Sequence, residues 1–348
     1  ADIYKDIATR TDGDIYIGVV GPVRTGKSTF IKRFMDSLVI PNIDNEYKAE
    51  RARDELPQSA AGRTIMTEPK FIPNEAVDIA LDENAHMHVR MIDCVGYIVD
   101  SAMGYMEDGE PRMVQTPWFD HQIPFNEAAE LGTKKVICDH STIGLVVTTD
   151  GSITEIGRQD YVAAEERVIG ELKQIGKPFV ILLNSADPRG EAAQKLKEEL
   201  EEKYGVSVMA VNCAELGAQD IHDIMERVLF EFPLCEITIN TPRWIDGLDT
   251  THWLKQNVYE AIMNATDGVR TIKDARMTAR SLEDCEFVKT SRIERVDLGQ
   301  GSVSIDFYTP DDLFYTVLSE LSGLEIQGED ALISMMCELS EVKKNYDK

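Results

Sequence analysis

Apolar positions over the first 230 or so residues alternate between two periods. Asp14-Ile15-Tyr16-Ile17-Gly18-Val19-Val20 is a short, β-branched-rich run with the pattern of a buried strand. Phe30, Ile31, Phe34, Met35 and Leu38 then recur along one face of a helix. Val89-Arg90-Met91-Ile92-Asp93, Ile143–Thr148, Phe179–Asn184 and Val206–Val211 are further strand-length apolar runs, and helical spacing predicts helices over about 126–138, 160–175, 190–203 and 221–230. Strands separated by helices of this length make a mainly parallel, doubly wound α/β sheet with helices on both faces and ligands at the strand carboxyl ends. Residues 1–13 predict a short helix ahead of the first strand. Pro41 ends the first long helix, and the charged 42–58 stretch reads as a mobile loop with some helix.

The rhythm changes near residue 236. Ile237-Thr238-Ile239, a helix through about 279, strands near 285–289 and 302–308, and helices at about 311–322 and 329–346 predict a smaller α+β module. Pro310-Asp311-Asp312 has the composition of a helix start with an Asp cap. No catalytic spacing occurs there, and its acidic runs read as solvated helix faces. The expected division is a nucleotide-binding domain at 1–235 and a docking or assembly module at 236–348.

Composition narrows the partners. The 348 residues are 43% apolar with a net charge of −26, and no basic block offsets that surface. This argues against a nucleic-acid partner held by phosphate contacts and against direct adhesion to anionic lipid, so a membrane role would need another surface or a partner. No apolar run reaches membrane-spanning length and no signal peptide opens the chain. Starting on Ala rather than Met, it reads as a trimmed chain. Six scattered cysteines without CxxC pairing read as reduced core residues of a cytosolic protein. The six histidines have no metal-ligand spacing, and His86 and His88 fall on the solvent side of a strand.

The candidate chemistry begins at Gly21-Pro22-Val23-Arg24-Thr25-Gly26-Lys27-Ser28-Thr29. This is the G-x-x-x-x-G-K-[ST] phosphate-binding loop, whose backbone N–H groups wrap a phosphate while the lysine neutralises it. A strand before it and a helix after it supply the context the motif needs, because the helix N-terminus then faces the phosphates. Ser28 and Asp93 are the candidate Mg²⁺ ligands. Asp93 ends a strand and opens Asp93-Cys94-Val95-Gly96, a D-x-x-G turn whose Gly96 N–H would approach a γ-phosphate. Thr64 and Thr67, in the segment before the Phe71 strand, are the candidate γ-phosphate and Mg²⁺ sensors. Tyr97 stands where many GTPases place a water-orienting Gln, so either another group positions the water or hydrolysis is slow.

The long 97–130 segment reads as a relay of nucleotide state or as an inert insertion. Asn184-Ser185-Ala186-Asp187 occupies the place of a guanine-reading N-K-x-D with Ser for Lys, and Asn212 follows the last strand. Asn184, Asp187 and Asn212 are the candidate base-side residues. ATP against GTP stays open on these residues alone.

Longer stretches carry a resemblance. TDGDIYIGVVGPVRTGKST, DELPQSAAGRTIMTEPKF, RMIDCVGY, HSTIGLVVTTDGSI, EFPLCEI and LGQGSVSIDFYTPDDLFY, together with Glu110–Met113 and Thr116–Trp118, are similar to the stage IV sporulation protein A family. The resemblance spans essentially the whole chain. It implies a P-loop ATPase domain of translation-factor-class GTPase ancestry, with ATP and Mg²⁺ as cofactors. It further implies hydrolysis that drives self-assembly into a static shell, the basement layer of the endospore coat, on the forespore surface in the mother-cell cytoplasm. A small amphipathic peptide of the forespore membrane and a coat-anchoring protein are the implied partners. By this resemblance Lys27 and Ser28 match the P-loop, Asp93 the Mg²⁺-side carboxylate and Thr67 the sensor region. The family has two adjacent threonines before Glu-Pro, where this chain has Met66-Thr67, and it extends into a C-terminal assembly domain not expected here. Two other readings remain: a GTP-hydrolysing regulatory switch, and a scaffold that binds nucleotide without hydrolysing it.

Overall fold

The computed structural model describes residues 3–57, 69–82, 85–99, 106–107 and 109–347. The chain divides into two compact units, Ala1–Pro233 with Leu298–Gln300, and Leu234–Asp297 with Gly301–Lys348. In the first unit, α1 (Ile3–Arg10), β1 (Asp14–Val20), α2 (Lys27–Phe34) and α3 (Glu46–Asp54) precede an antiparallel pair, β2 (Lys70–Asp82) and β3 (Ala85–Asp93). Short strands follow: β4 (Met106–Glu107), β5 (Glu110–Pro111), β6 (Met113–Val114) and β7 (Ile123–Pro124). Then come α4 (Phe125–Lys135), β8 (Ile143–Thr149), α5 (Arg158–Ile175), β9 (Phe179–Asn184), α6 (Glu191–Tyr204), β10 (Val208–Val211) and α7 (Ala218–Phe230).

Six strands form one sheet in the order β10-β9-β8-β1-β3-β2, parallel except for β2 at its edge. Every residue of β8 and β9 is buried. Successive strand residues point to opposite faces, so complete burial means that both faces are covered, as the unbroken apolar runs require. On one face Val146, Ile181 and Leu183 meet Tyr161, Val168 and Leu172 of α5 and Leu200 and Tyr204 of α6. Helices α1, α2 and α7 lie against β1, β3 and β9.

Several expectations shift. The helix after the loop is regular only to Phe34 and continues as a π-turn over Met35–Val39. The 42–58 stretch holds a helix capped by the Asn45 side chain, which accepts from Lys48 N–H. The last strand of the sheet starts at Val208 rather than Val206. Within 97–130 the segment is not simply a loop: β6 pairs with β7, and Val114, Ile123 and Phe125 join Val95 in a small core. Those apolar residues are too widely spaced to register as a period. Among the cysteines, Cys94 and Cys213 are buried, Cys285 is half-buried, and Cys138, Cys235 and Cys337 are exposed, so only part of the set belongs to the core.

The second unit contains β11 (Glu236–Asn240), α8 (Arg243–Asp246), α9 (Trp253–Thr266), α10 (Ala275–Glu283), β12 (Thr290–Asp297), β13 (Ser302–Tyr308), α11 (Leu313–Ser322) and α12 (Glu329–Tyr346). Its sheet runs β11-β13-β12. Val303, Ile305 and Phe307 alternate inward from the central strand, and Phe307 packs with Leu254, Val258 and Val317. The strand expected near 285–289 lies instead at 290–297. It is largely polar and exposed and is held by pairing to β13, so its apolar signal is weak. Asp312 does occupy the N-cap of α11, but its side chain makes no capping bond. Asp311 pairs with Lys289 at 2.9 Å.

A buried charge on α5 braces the first unit, and no local pattern marks it. Glu165 on α5 is fully buried and receives a two-pronged bond from Arg158, at 2.6 and 2.9 Å. The Thr148 hydroxyl and Tyr204, at 3.0 Å, complete its partners. Glu165→Ala would strand the Arg158 charge and should lower folding stability by about 3–5 kcal/mol. Denaturant unfolding measures this, and a loss near zero would mean that the network carries no stability.

Candidate functional site

The carboxyl ends of β1 and β3 meet because the strands pair in parallel register, with Val19 opposite Asp93. Two backbone bonds then stitch the following loops together: Tyr97 N–H donates to Gly21 O at 3.1 Å, and Val23 N–H donates to Tyr97 O at 2.9 Å. The 21–29 loop and the Asp93–Gly96 turn are thereby one structure. Gly96 is required at this crossing, since a Cβ there would lie 2.6 Å from Lys27 Nζ and 2.7 Å from Val23 N.

α2 starts directly after Gly26, which has the left-handed φ of 99°, and no side chain caps its N-terminus. A Cβ on Gly26 would collide with the Asn184 amide. The free N–H groups and positive dipole end of α2 are thus left open to an anion. Lys27 is buried and folds back on the loop, donating to Pro22 O at 2.6 Å and Gly21 O at 3.4 Å. Burial pulls its pKa down to about 8, against the opposing pull of Asp93. Thr25 is also buried and donates to Pro22 O at 3.1 Å, while Arg24 and Thr29 are exposed.

Ser28 donates to Asp93 Oδ2 at 2.6 Å. Burial pushes the Asp93 carboxyl up, while the Ser28 hydrogen bond and the Lys27 charge oppose the shift. The other oxygen, Oδ1, is buried and accepts no hydrogen bond. A serine hydroxyl beside a carboxylate with a spare buried oxygen is a hard-oxygen donor set that fits Mg²⁺. That ion binds through one or two protein oxygens and takes its remaining ligands from phosphate and water. Among the described residues no group of three or more His, Cys, Asp or Glu gathers as a metal cage.

The expected base-side residues divide. Asn184 is buried with both ends of its amide committed: Nδ2 donates to Thr25 O at 3.0 Å, and Oδ1 accepts from Cys213 N–H at 3.0 Å. It acts as a strut between the phosphate loop and the end of β10. Asp187 is exposed, and Asn212 accepts from Ala214 N–H at 3.1 Å within its own turn. Ser185, in place of the lid lysine, is buried. Thr64 and Thr67 lie outside the described residues. Tyr97 is buried, and its hydroxyl donates to Glu171 on α5, so its side chain is turned away from the loop.

Two models of protein families match the chain. The stage IV sporulation protein A ATPase domain matches residues 1–233, and the middle domain of the same family matches residues 234–348. The chain belongs to the stage IV sporulation protein A family. Over all 348 residues it is 51% identical to a stage IV sporulation protein A from Clostridioides difficile, 49% to one from Bacillus anthracis and 46% to one from Bacillus subtilis. In each case it covers 71% of the relative's length. Family membership carries a role in sporulation and makes the first 233 residues a nucleotide-hydrolase-type domain by name.

Reasoning from the sequence missed two supports of this family's site. One is the Arg158–Glu165 network, which fixes the end of β8 through Thr148 and Thr149. The other is the turn Asp150–Ser152, whose serine hydroxyl donates to Asp150 at 2.6 Å and accepts from Ala186 N–H at 2.9 Å. Although burial opposes it, hydrogen bonds from Ser152 and Ser185 hold the Asp150 carboxyl below its usual range. An Asp-Gly-Ser turn at a strand end was the available signal for the second.

Because Lys27 in the free protein titrates near pH 8, its charge is complete only below that pH. Nucleotide affinity should weaken as pH rises from 8 to 10, and Lys27→Ala should lose that dependence. Titration calorimetry across pH measures it, and a flat profile in the unmodified protein would contradict it.

Proposed function

We propose that this chain is an ATPase of the P-loop class, with a GTPase-like arrangement, whose hydrolysis of ATP drives its own assembly. The observation that carries this reading is the convergence of Lys27, the Ser28–Asp93 pair at 2.6 Å and Gly96 around one uncapped helix N-terminus. The strand order, parallel with a single antiparallel strand at the β2 edge, and the match to the family's ATPase domain support it. On this reading residues 1–235 form the ATPase domain and 236–348 an assembly module.

In the reaction a water oxygen bonds to the γ-phosphorus as the bond from that phosphorus to the β–γ bridging oxygen breaks. The electron pair leaves on ADP, and one proton from the water passes to solvent as inorganic phosphate forms. Gly21, Pro22, Arg24, Thr25, Gly26 and Thr29 shape the phosphate cradle, and Lys27 leaves its carbonyl partners to neutralise phosphate charge. Ser28 and Asp93 would hold Mg²⁺, with Thr67, or Thr64 in its place, as the sensor threonine. The ion they hold would supply positive charge to the triphosphate. Gly96 N–H meets the γ-phosphate, Asn184 keeps the cradle in place, and Asp187 and Asn212 border the base. The exposed Asp187 carboxylate specifically favours a second reading, a GTP-hydrolysing switch; the missing lid lysine favours ATP.

Within the family frame the product is a homopolymer, a static basement layer of the spore coat at the outer forespore membrane, on the mother-cell side. Its partners would be a small amphipathic membrane peptide and a coat-anchoring protein. No described helix is long and apolar enough to cross a membrane, so attachment by contact fits the chain.

Phosphate release with Mg²⁺ and either ATP or GTP tests the proposal. Turnover with ATP should vanish in Lys27→Ala and fall about 100-fold or more in Asp93→Ala, which removes the carboxylate on the metal side. Turnover confined to GTP would replace the ATPase reading with the switch. No turnover with either would leave only a nucleotide-binding scaffold.

A further inference from the structure

Arg24 is placed in the phosphate loop at a cost that its surroundings do not explain. Its φ is 58°, in the left-handed region that glycine enters freely and a long side chain resists. Among the described residues Asp12 is the one other non-glycine with positive φ, in the turn between α1 and β1, and aspartate is a type that tolerates such a turn through local hydrogen bonds. Arg24 has no such excuse. It is exposed, and it forms no hydrogen bond or ion pair among the described residues. Flanking residues are buried: Val23 packs in the core and Thr25 bonds to Pro22 O. Arg24 is thus the one residue between Gly21 and Gly26 whose side chain leaves the loop on its open side.

One neighbour feels the charge of that side chain. Burial raises the pKa of the Tyr161 phenol, and the charge of Arg24 pulls against it. Tyr161 lies one turn into α5, with its hydroxyl 3.0 Å from Thr154 in the loop after β8. The charge of Arg24 is thus felt at the first turn of α5, whose Tyr161 meets the 150–157 loop. Tyr97, in the turn after Asp93, supplies no such group, because it is buried and its hydroxyl donates to Glu171 on α5. Lys27, the other cation of the loop, is a buried amine that shares its charge with two carbonyls and Asp93.

We propose that Arg24 is a catalytic residue supplied in cis, whose guanidinium contacts the phosphate chain of the bound nucleotide and neutralises the charge that builds on the phosphate oxygens as the bond to the γ-phosphorus breaks. This rests on the hydrolase reading above. The side chain does not take the water's proton; it acts only through its fixed positive charge and forked donors, which match phosphate oxygens. An arginine placed in this way stabilises the transition state more than the bound substrate, since charge shifts toward the leaving and transferring oxygens only during reaction. The strained backbone fits this role, because it aims a long side chain out of a loop otherwise built to turn inward.

Arg24→Gly separates the role from the fold, since glycine relieves the backbone and should leave the melting temperature unchanged or raised. Turnover at saturating ATP should fall about 100-fold or more, with ADP affinity held within about threefold. The tighter binding of ADP with aluminium fluoride, which mimics the transferring phosphoryl group, should be lost by a similar factor. Arg24→Lys should recover part of the turnover, as it keeps the charge but not the fork. Unchanged turnover and unchanged aluminium fluoride binding in Arg24→Gly would overturn the proposal. So would an equal loss of ADP affinity, which would make Arg24 a ground-state binding group, or a lowered melting temperature with turnover lost in proportion. A wild-type chain no faster than Lys27→Ala would sink the hydrolase reading, and Arg24's role with it; wild-type turnover retained in Arg24→Gly would sink Arg24 alone.

Discussion

The carboxylate of Asp93 is almost wholly buried, and among the described residues its one hydrogen bond comes from Ser28 at 2.6 Å. Most of the site follows from that constraint. A buried carboxylate is costly unless paired, and here one oxygen is satisfied and the other is not. Lys27 is buried beside it and is likewise displaced from its usual pKa. Two opposite charges are therefore held out of water without directly bonding one another, Asp93 at the end of β3 and Lys27 at the start of α2. An anionic phosphate for Lys27 and a divalent cation for the Ser28–Asp93 side would complete both at once. The parallel register of β1 and β3 sets that spacing, and the Tyr97–Gly21 and Val23–Tyr97 backbone bonds keep it fixed.

Around this pair the rest of the first unit acts as a brace. Asn184 ties Thr25 to Cys213, so three strand ends are joined through one amide. Glu165, buried beneath β8, holds Arg158 and Thr148 and so fixes the start of the loop after β8. The braces are polar groups in a dry interior, where each bond is strengthened by low dielectric and each loss is felt in full. The second unit has a different physical character. Its sheet is covered on one face, and α12 carries no buried residue, consistent with a module that meets other surfaces rather than one that encloses chemistry.

Much of the sheet was legible because its central strands are continuous apolar runs, such as Phe179–Asn184, and such runs fit only strands covered on both faces. The 21–29 loop and the helix that follows it were legible because the glycine spacing is itself a geometric demand. The strand at 290–297 was not, since an edge strand takes its stability from pairing rather than from its own residues. Asn184 was found as a residue but not as a strut, because its partners, Thr25 and Cys213, are distant in sequence. Tyr97 showed only that a glutamine was missing. That its ring turns inward to Glu171 depends on α5, which no local pattern encodes.

A crystal structure with Mg²⁺ and a non-hydrolysable ATP analogue tests the central claim most directly. The account predicts that Lys27 Nζ leaves Pro22 O and Gly21 O for a phosphate oxygen, with Ser28 and Asp93 turned toward the metal. An analogue bound elsewhere, or one bound with Lys27 still on its carbonyls and Ser28 still on Asp93, would contradict it.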